Sequence, residues 1–176
     1  MKITKSQLKS LIKESVCEVV REQSQPFKTS DEAYFWAKKN GPSDESRKIA
    51  SEDPASAYDY AIVFDKKPHD VTREGASKDF RLAYNYAANI DEEPHDVTRK
   101  GASQDPETAY RYAKLIDEAP HDVTREGASK NPIEALRYAV GVDKKSHPVT
   151  YASVLRATDK NSLNTYHRHL GKPIDK

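Results

Sequence analysis

From residue 57 to residue 142 the chain repeats one arrangement of apolar and polar positions: Ala-Tyr-x-Tyr-Ala, then one further apolar residue. The copies are Ala57-Tyr58-Asp59-Tyr60-Ala61, Ala83-Tyr84-Asn85-Tyr86-Ala87, Ala109-Tyr110-Arg111-Tyr112-Ala113 and Ala135-Leu136-Arg137-Tyr138-Ala139. Phe64, Ile90, Ile116 and Val142 complete them. Apolar positions at i, i+1, i+3, i+4 and i+7 define one face of a helix. Each copy opens on a residue suited to cap that helix: Asp53, Asp79, Asp105 or Asn131. Pro54, Pro106 and Pro132 follow in three of them, where the missing N–H has no partner to lose. Asn131 with Glu134 predicts a capping-box pair. Asp65, Asp91, Asp117 and Asp143 close the copies.

Between these helices stands Pro-His-Asp-Val-Thr-Arg, beginning at Pro68, Pro94 and Pro120 and running on to Gly75-Ala76-Ser77, Gly101-Ala102-Ser103 and Gly127-Ala128-Ser129. The spacing is 26 residues without slippage, which is the mark of a repeat array. Asp70, Asp96 and Asp122 are the expected caps of a helix of about two turns, too short to persist unless packing holds it. A glycine in its last turn costs about 1 kcal/mol relative to alanine. Its recurrence predicts either close approach of the longer helix or a left-handed turn at each corner. The pattern predicts an all-α chain: an α-solenoid of 26-residue helix-pair repeats with an N-terminal amphipathic helix.

The ends depart from the period. Residues 1–25 read as an amphipathic helix, with Leu8, Leu11, Ile12, Val16, Val19 and Val20 on one stripe and Thr4 with Gln7 as a capping box. Residues 26–41 read as a linker and N-terminal cap, a helix opened by Ser30 or Asp31 and stopped by Asn40-Gly41-Pro42. Residues 42–145 hold four repeats, the first degenerate, with Ile49 where the others have glycine. Residues 146–176 read as a degenerate fifth repeat and C-terminal cap, with Pro148 replacing the Asp cap and Gly171 and Pro173 ending the last helix.

Composition and charge exclude several classes. The net charge is +1, so no global field favours nucleic acid or an anionic membrane. The ends are each +3, while residues 42–145 carry 16 basic and 21 acidic side chains, or −5. The single cysteine, Cys17, rules out an intramolecular disulfide and a Cys-based zinc site. No apolar run reaches the length of a membrane span, and the N-terminus lacks the pattern of a secretory signal. The expected location is intracellular, not secreted.

His69, His95 and His121 each precede an Asp, and Arg73, Arg99 and Arg125 follow, a residue set with acid–base potential. Catalysis needs one site rather than three copies of it. Neighbouring helices also stand about 8–10 Å apart, too far for equivalent histidines to share one zinc. We therefore read these residues as caps and as polar ladders between repeats, and expect no enzyme activity, metal or cofactor. Tyr58, Tyr84 and Tyr110, one residue off the inner stripe, are the tyrosines expected nearer the surface. Two functions remain: protein–protein contact or self-assembly across the extended surface of an array, and nucleic-acid binding by stacking on tyrosine. The acidic repeats weigh against the second.

The opening Met1-Lys2-Ile3-Thr4-Lys5-Ser6-Gln7-Leu8-Lys9-Ser10-Leu11-Ile12-Lys13-Glu14 resembles a leader found on otherwise unrelated proteins of tailed bacteriophages, especially marine ones with contractile tails. The Ala-Tyr-x-Tyr-Ala helices resemble short helical repeats of uncharacterised phage, giant-virus and bacterial proteins. The resemblance implies a virion-associated or structural phage protein located in the virion or host cytoplasm. Some such phages cut internal capsid proteins after an Ile/Leu-x-Glu triplet, and Ile12-Lys13-Glu14 fits it, with Ile12 and Glu14 as the matching positions.

Overall fold

The structure is a computed structural model that describes residues 8–15, 26–157 and 160–171. Helices account for its regular structure, and no strand occurs among the described residues. Helix α1 covers residues 8–15, and its Leu8, Leu11 and Ile12 are exposed. The capping box at Thr4, the valines from Val16 onward and the stop at Pro173 lie outside the described residues.

The N-terminal cap is α2 (Ser30–Asn40). Its cap is Thr29, not Ser30 or Asp31: Thr29 and Glu32 form a reciprocal box, which leaves Ser30 free to donate to Ile49 O at 2.9 Å. Gly41 ends the helix at φ +95°, where glycine meets no steric penalty.

Five helix pairs follow. The short helices are α3 (Asp44–Ala50), α5 (Asp70–Ala76), α7 (Asp96–Ala102), α9 (Asp122–Ala128) and α11 (Pro148–Leu155). The long ones are α4 (Pro54–Tyr60), α6 (Phe80–Tyr86), α8 (Pro106–Leu115), α10 (Pro132–Tyr138) and α12 (Lys160–Leu170). Asp53, Asp79, Asp105 and Asn131 cap the first four long helices with their side chains. Asn131 accepts from Ile133 and Glu134 N–H, but Glu134 turns to Arg137, so the expected box is only half made.

Three long helices widen at their ends into π turns: Ala61–Asp65, Ala87–Asp91 and Ala139–Asp143. At the end of α8 a single wide bond, Asp117 N–H to Tyr112 O at 3.0 Å, has the same effect. The next residues, Lys66, Glu92, Glu118 and Lys144, lie in the left-handed region at φ of 51–55° although none is glycine.

The core is built in layers, each shared by two units. Ala57 and Ala61 pack with Ala76 and Tyr86 of the next unit. Ala83 and Ala87 pack with Ala102 and Tyr112, Ala109 and Ala113 with Ala128 and Tyr138, and Ala135 and Ala139 with Val154 and Tyr166. Alanine lets two helices approach, and the tyrosine ring fills the remaining space. Gly75, Gly101 and Gly127 carry the close approach further. A Cβ on Gly101 would lie 2.5 Å from Ser77 O and 2.7 Å from Ala83 Cβ. The expectation left two reasons for these glycines. Close approach to the preceding unit is the one found, and the left-handed turn falls at the opposite corner. In the last unit Ser153 stands at the glycine position and donates to Ser129 O at 2.6 Å.

Candidate interaction surface

The histidine of the motif, not the aspartate, caps each short helix. Nδ1 of His69, His95 and His121 accepts from the N–H of Val71, Val97 and Val123 at 3.2 Å, and His147 does the same for Val149 at 3.3 Å. Asp70, Asp96 and Asp122, expected as caps, occupy the first helical position instead, as does Pro148. From there each aspartate suits the helix dipole and reaches the arginine three residues on.

A buried tyrosine fixes the same corner. The Tyr112 hydroxyl accepts from His95 N–H at 3.1 Å, lies in hydrogen-bond contact with Thr98 Oγ1 at 2.8 Å, and is placed to donate to His95 O at 3.2 Å. Tyr86 and Tyr138 repeat this with Thr72/His69 and Thr124/His121. Tyr166 does so with Thr150 and His147, and Tyr60 reaches Ser46 and Ser43 O. Burial raises the pKa of Tyr112 above its ordinary value, against partial relief from the hydrogen bonds with Thr98 and His95.

The arginine is buried too. Arg73, Arg99 and Arg125 are 6–8% exposed. Each pairs with the aspartate that ends the long helix of its own unit: Arg73 with Asp91, Arg99 with Asp117 and Arg125 with Asp143, all at 2.9 Å. Arg47 and Asp65 form the same pair in the first repeat. The guanidinium also lies about over the ring of the buried tyrosine, 5.7–5.9 Å from its centre. Burial opposes the charge of Arg73, yet its hydrogen bonds to Asp91 and the charge of that carboxylate outweigh the effect, and the net shift is upward. Every repeat thus sets one arginine between two aspartates, a net −1 each, which accounts for most of the −5 of residues 42–145.

These histidines, threonines and arginines act inside one repeat, whereas the sequence reading placed His and Arg in ladders between repeats. The rungs between units come from other residues. Lys78 donates to Ser51 O and Glu52 O, Gln104 to Ser77 O, Lys130 to Ser103 O and Gln104 O, and Arg156 to Ser129 O. A long donor recurring one residue after Gly-Ala-Ser was the available signal. The Thr–Tyr and Arg–Asp partners, 14 and 18 residues apart, had only their shared period to give them away.

Tyr58, Tyr84 and Tyr110 are half-buried on the outer side of the long helices. Each meets the following unit: Tyr58 Oη accepts from Asn89 Nδ2 at 3.0 Å, and the Tyr84 ring lies 4.8 Å below the Arg111 guanidinium. Tyr110 borders Gly141 and lines a cleft of about 290 Å³ with Leu136, Arg137, Val140 and His169. A second cleft, of about 350 Å³, lies between α6 and α8. Beside it, Glu134 is buried with Oε2 unpartnered. Burial pushes its pKa up, Arg137 opposes this, and Glu107 and Asp105 add to it.

Ile12 and Glu14 both lie exposed on α1. Among the described residues no three His, Cys, Asp or Glu side chains converge to hold a metal ion, and no helix is long and apolar enough to cross a membrane. No family model, curated protein or solved structure matches the chain.

Proposed function

We propose that this helical-repeat protein is non-enzymatic and works through protein–protein contacts, as a structural or virion-associated component of a tailed phage. The observation that carries the reading is how the reactive-looking residues are occupied. His69, His95 and His121 hold helix ends, and Arg73, Arg99 and Arg125 sit buried between two carboxylates. Residues that differ between units stand instead at the surface, exposed on the short helices at Glu74, Lys100 and Glu126 and in rows along the long helices. One such row is Ala55, Arg81, Glu107 and Ile133, and another is Asp59, Asn85, Arg111 and Arg137. A constant scaffold carrying a varied face is how repeat arrays present a binding surface. The phage assignment rests on the leader, whose Leu8, Leu11 and Ile12 are exposed on α1.

Two experiments test this. Affinity capture with the full chain, beside a chain lacking residues 1–25, is expected to retain proteins that survive nuclease treatment. Capture only of nuclease-sensitive material overturns the reading. Peptide mass spectrometry of purified particles is expected to find the protein with a new N-terminus after Glu14. Its absence from particles removes the virion role, and an intact N-terminus removes the processing step.

A further inference from the structure

We propose that the cleft between α6 and α8 is a receptor for the carboxylates of an acidic protein segment, which deepens the protein-contact reading above and rests on it. Seven arginines lie in the repeats, and five are neutralised. Arg47, Arg73, Arg99 and Arg125 sit on two aspartates each, and Arg137 on Glu134. Arg81 and Arg111 have no carboxylate at ion-pair distance among the described residues, and both line this one cleft.

Each lies over an aromatic ring instead: the guanidinium carbon of Arg111 is 4.8 Å from the centre of the Tyr84 ring, and that of Arg81 5.3 Å from the centre of Phe80. Phe80 stands where Pro54, Pro106 and Pro132 open α4, α8 and α10, so the ring under Arg81 is itself a departure from the repeat. A guanidinium stacked on an aromatic ring keeps its N–H edges free in one plane, the geometry that a carboxylate meets with two parallel hydrogen bonds.

The rest of the cleft selects among anions. Oδ1 of Asp105 accepts from Thr108 N–H and Oγ1 at 2.9 and 2.8 Å, so it is committed to its own helix. Glu107 stands exposed at the rim. Two acids beside two arginines leave the cleft without net charge, so no broad positive field draws a phosphodiester chain, and what remains is directed hydrogen bonding to carboxylates at the two guanidinium edges. The cleft beside Tyr110 offers no such group, because its Arg137 is already paired.

The test uses the full chain and a fluorescein-labelled octaglutamate peptide, read by fluorescence anisotropy, with octalysine and a mixed-sequence single-stranded RNA as the other probes. Octaglutamate is expected to bind and octalysine not to. Arg111→Gln and Arg81→Gln are each expected to weaken binding about tenfold, the scale of one hydrogen-bonded charge pair. Arg137→Gln is expected to leave it unchanged. All three side chains are exposed, and unchanged melting curves separate lost binding from lost fold. No binding of octaglutamate, equal binding by all variants, or tighter binding of RNA at the same arginines overturns the proposal. Affinity capture with the Arg81→Gln/Arg111→Gln chain separates the two readings. If it retains what the unmodified chain retains, protein contact stands and this cleft's part in it falls. If neither chain retains protein, the broader reading falls.

Discussion

Replacing Gly101 by alanine tests how closely the units approach. The new Cβ would lie 2.5 Å from Ser77 O, 2.7 Å from Ala83 Cβ and 3.1 Å from Ser77 Cβ. Carbon contacts relax at about 3.5–4.0 Å, so α7 must retreat by about 1 Å from the preceding unit. The nearest obstacle is a backbone carbonyl, which no rotamer change removes. Overpacking of this kind costs about 1–3 kcal/mol. Against it, alanine is favoured over glycine in a helix by about 1 kcal/mol. The net expectation is a loss of up to about 2 kcal/mol, or up to about 8 °C in melting temperature for a chain of this size. Gly141→Ala supplies the comparison. Its nearest neighbours would all belong to the Tyr110 side chain, the hydroxyl at 3.2 Å and two ring carbons at 3.6 and 3.8 Å, the far end of a ring that can swing away. That variant is expected to match the unmodified protein or exceed it by up to about 1 kcal/mol. Urea unfolding followed by far-UV circular dichroism reads both, with equal m-values required before midpoints are compared. If Gly101→Ala unfolds at the same or higher urea than Gly141→Ala, close approach is not why the glycine recurs.

Three further outcomes follow from the same geometry. Tyr112→Phe strands His95 N–H and is expected to lose about 1–3 kcal/mol, while Tyr110→Phe stays within about 0.5 kcal/mol, both by urea unfolding. Arg99→Met leaves Asp117 buried and unpaired and is expected to lose about 3–5 kcal/mol; adding Asp117→Leu should restore most of it, and a double-mutant cycle that finds additive losses refutes the pairing. Glu134 has its pKa raised in the folded state, so the fold binds its proton more tightly than the unfolded chain does, and its contribution, complete below the ordinary carboxylate pKa, is lost as pH rises through the folded value. Glu134→Thr, matching Thr108 in the preceding repeat, is therefore expected to stabilise the protein at pH 7 and to lose that advantage toward pH 4 in melting curves recorded across that range.

The helices and their stacking were legible in the sequence because period and apolar pattern agreed. The inner and outer tyrosines were also separable, since two residues turn a helix by about 200° and place Tyr112 in the core while Tyr110 stays at its edge. The caps were misread because aspartate outranks histidine as a cap when each is judged alone. What decides it is remote: Tyr112 grips the backbone of His95, which fixes that residue as the cap and frees Asp96 for Arg99. The π turns had no local signature: each closes on the aspartate that pairs with the buried arginine 18 residues before it, a contact that leaves no trace in the nearby sequence. Left-handed Lys66, Glu92, Glu118 and Lys144 were equally hidden, since neither lysine nor glutamate favours that conformation. The α6–α8 cleft was out of reach because Tyr84 and Arg111 belong to different units and only stacking joins them.

The division of contacts has a consequence for how such a chain changes length. The Thr–Tyr and Arg–Asp bonds close within a unit, and the alanine–tyrosine layers close between any unit and its successor. Removing or inserting one whole 26-residue unit therefore orphans no buried hydroxyl or charge, and the new neighbours meet through the same alanines and the same tyrosine. A gain or loss inside the helices that is not a whole number of periods shifts both sets of partners out of register. Inheritance can thus lengthen or shorten this protein in steps of one period while leaving its two ends untouched.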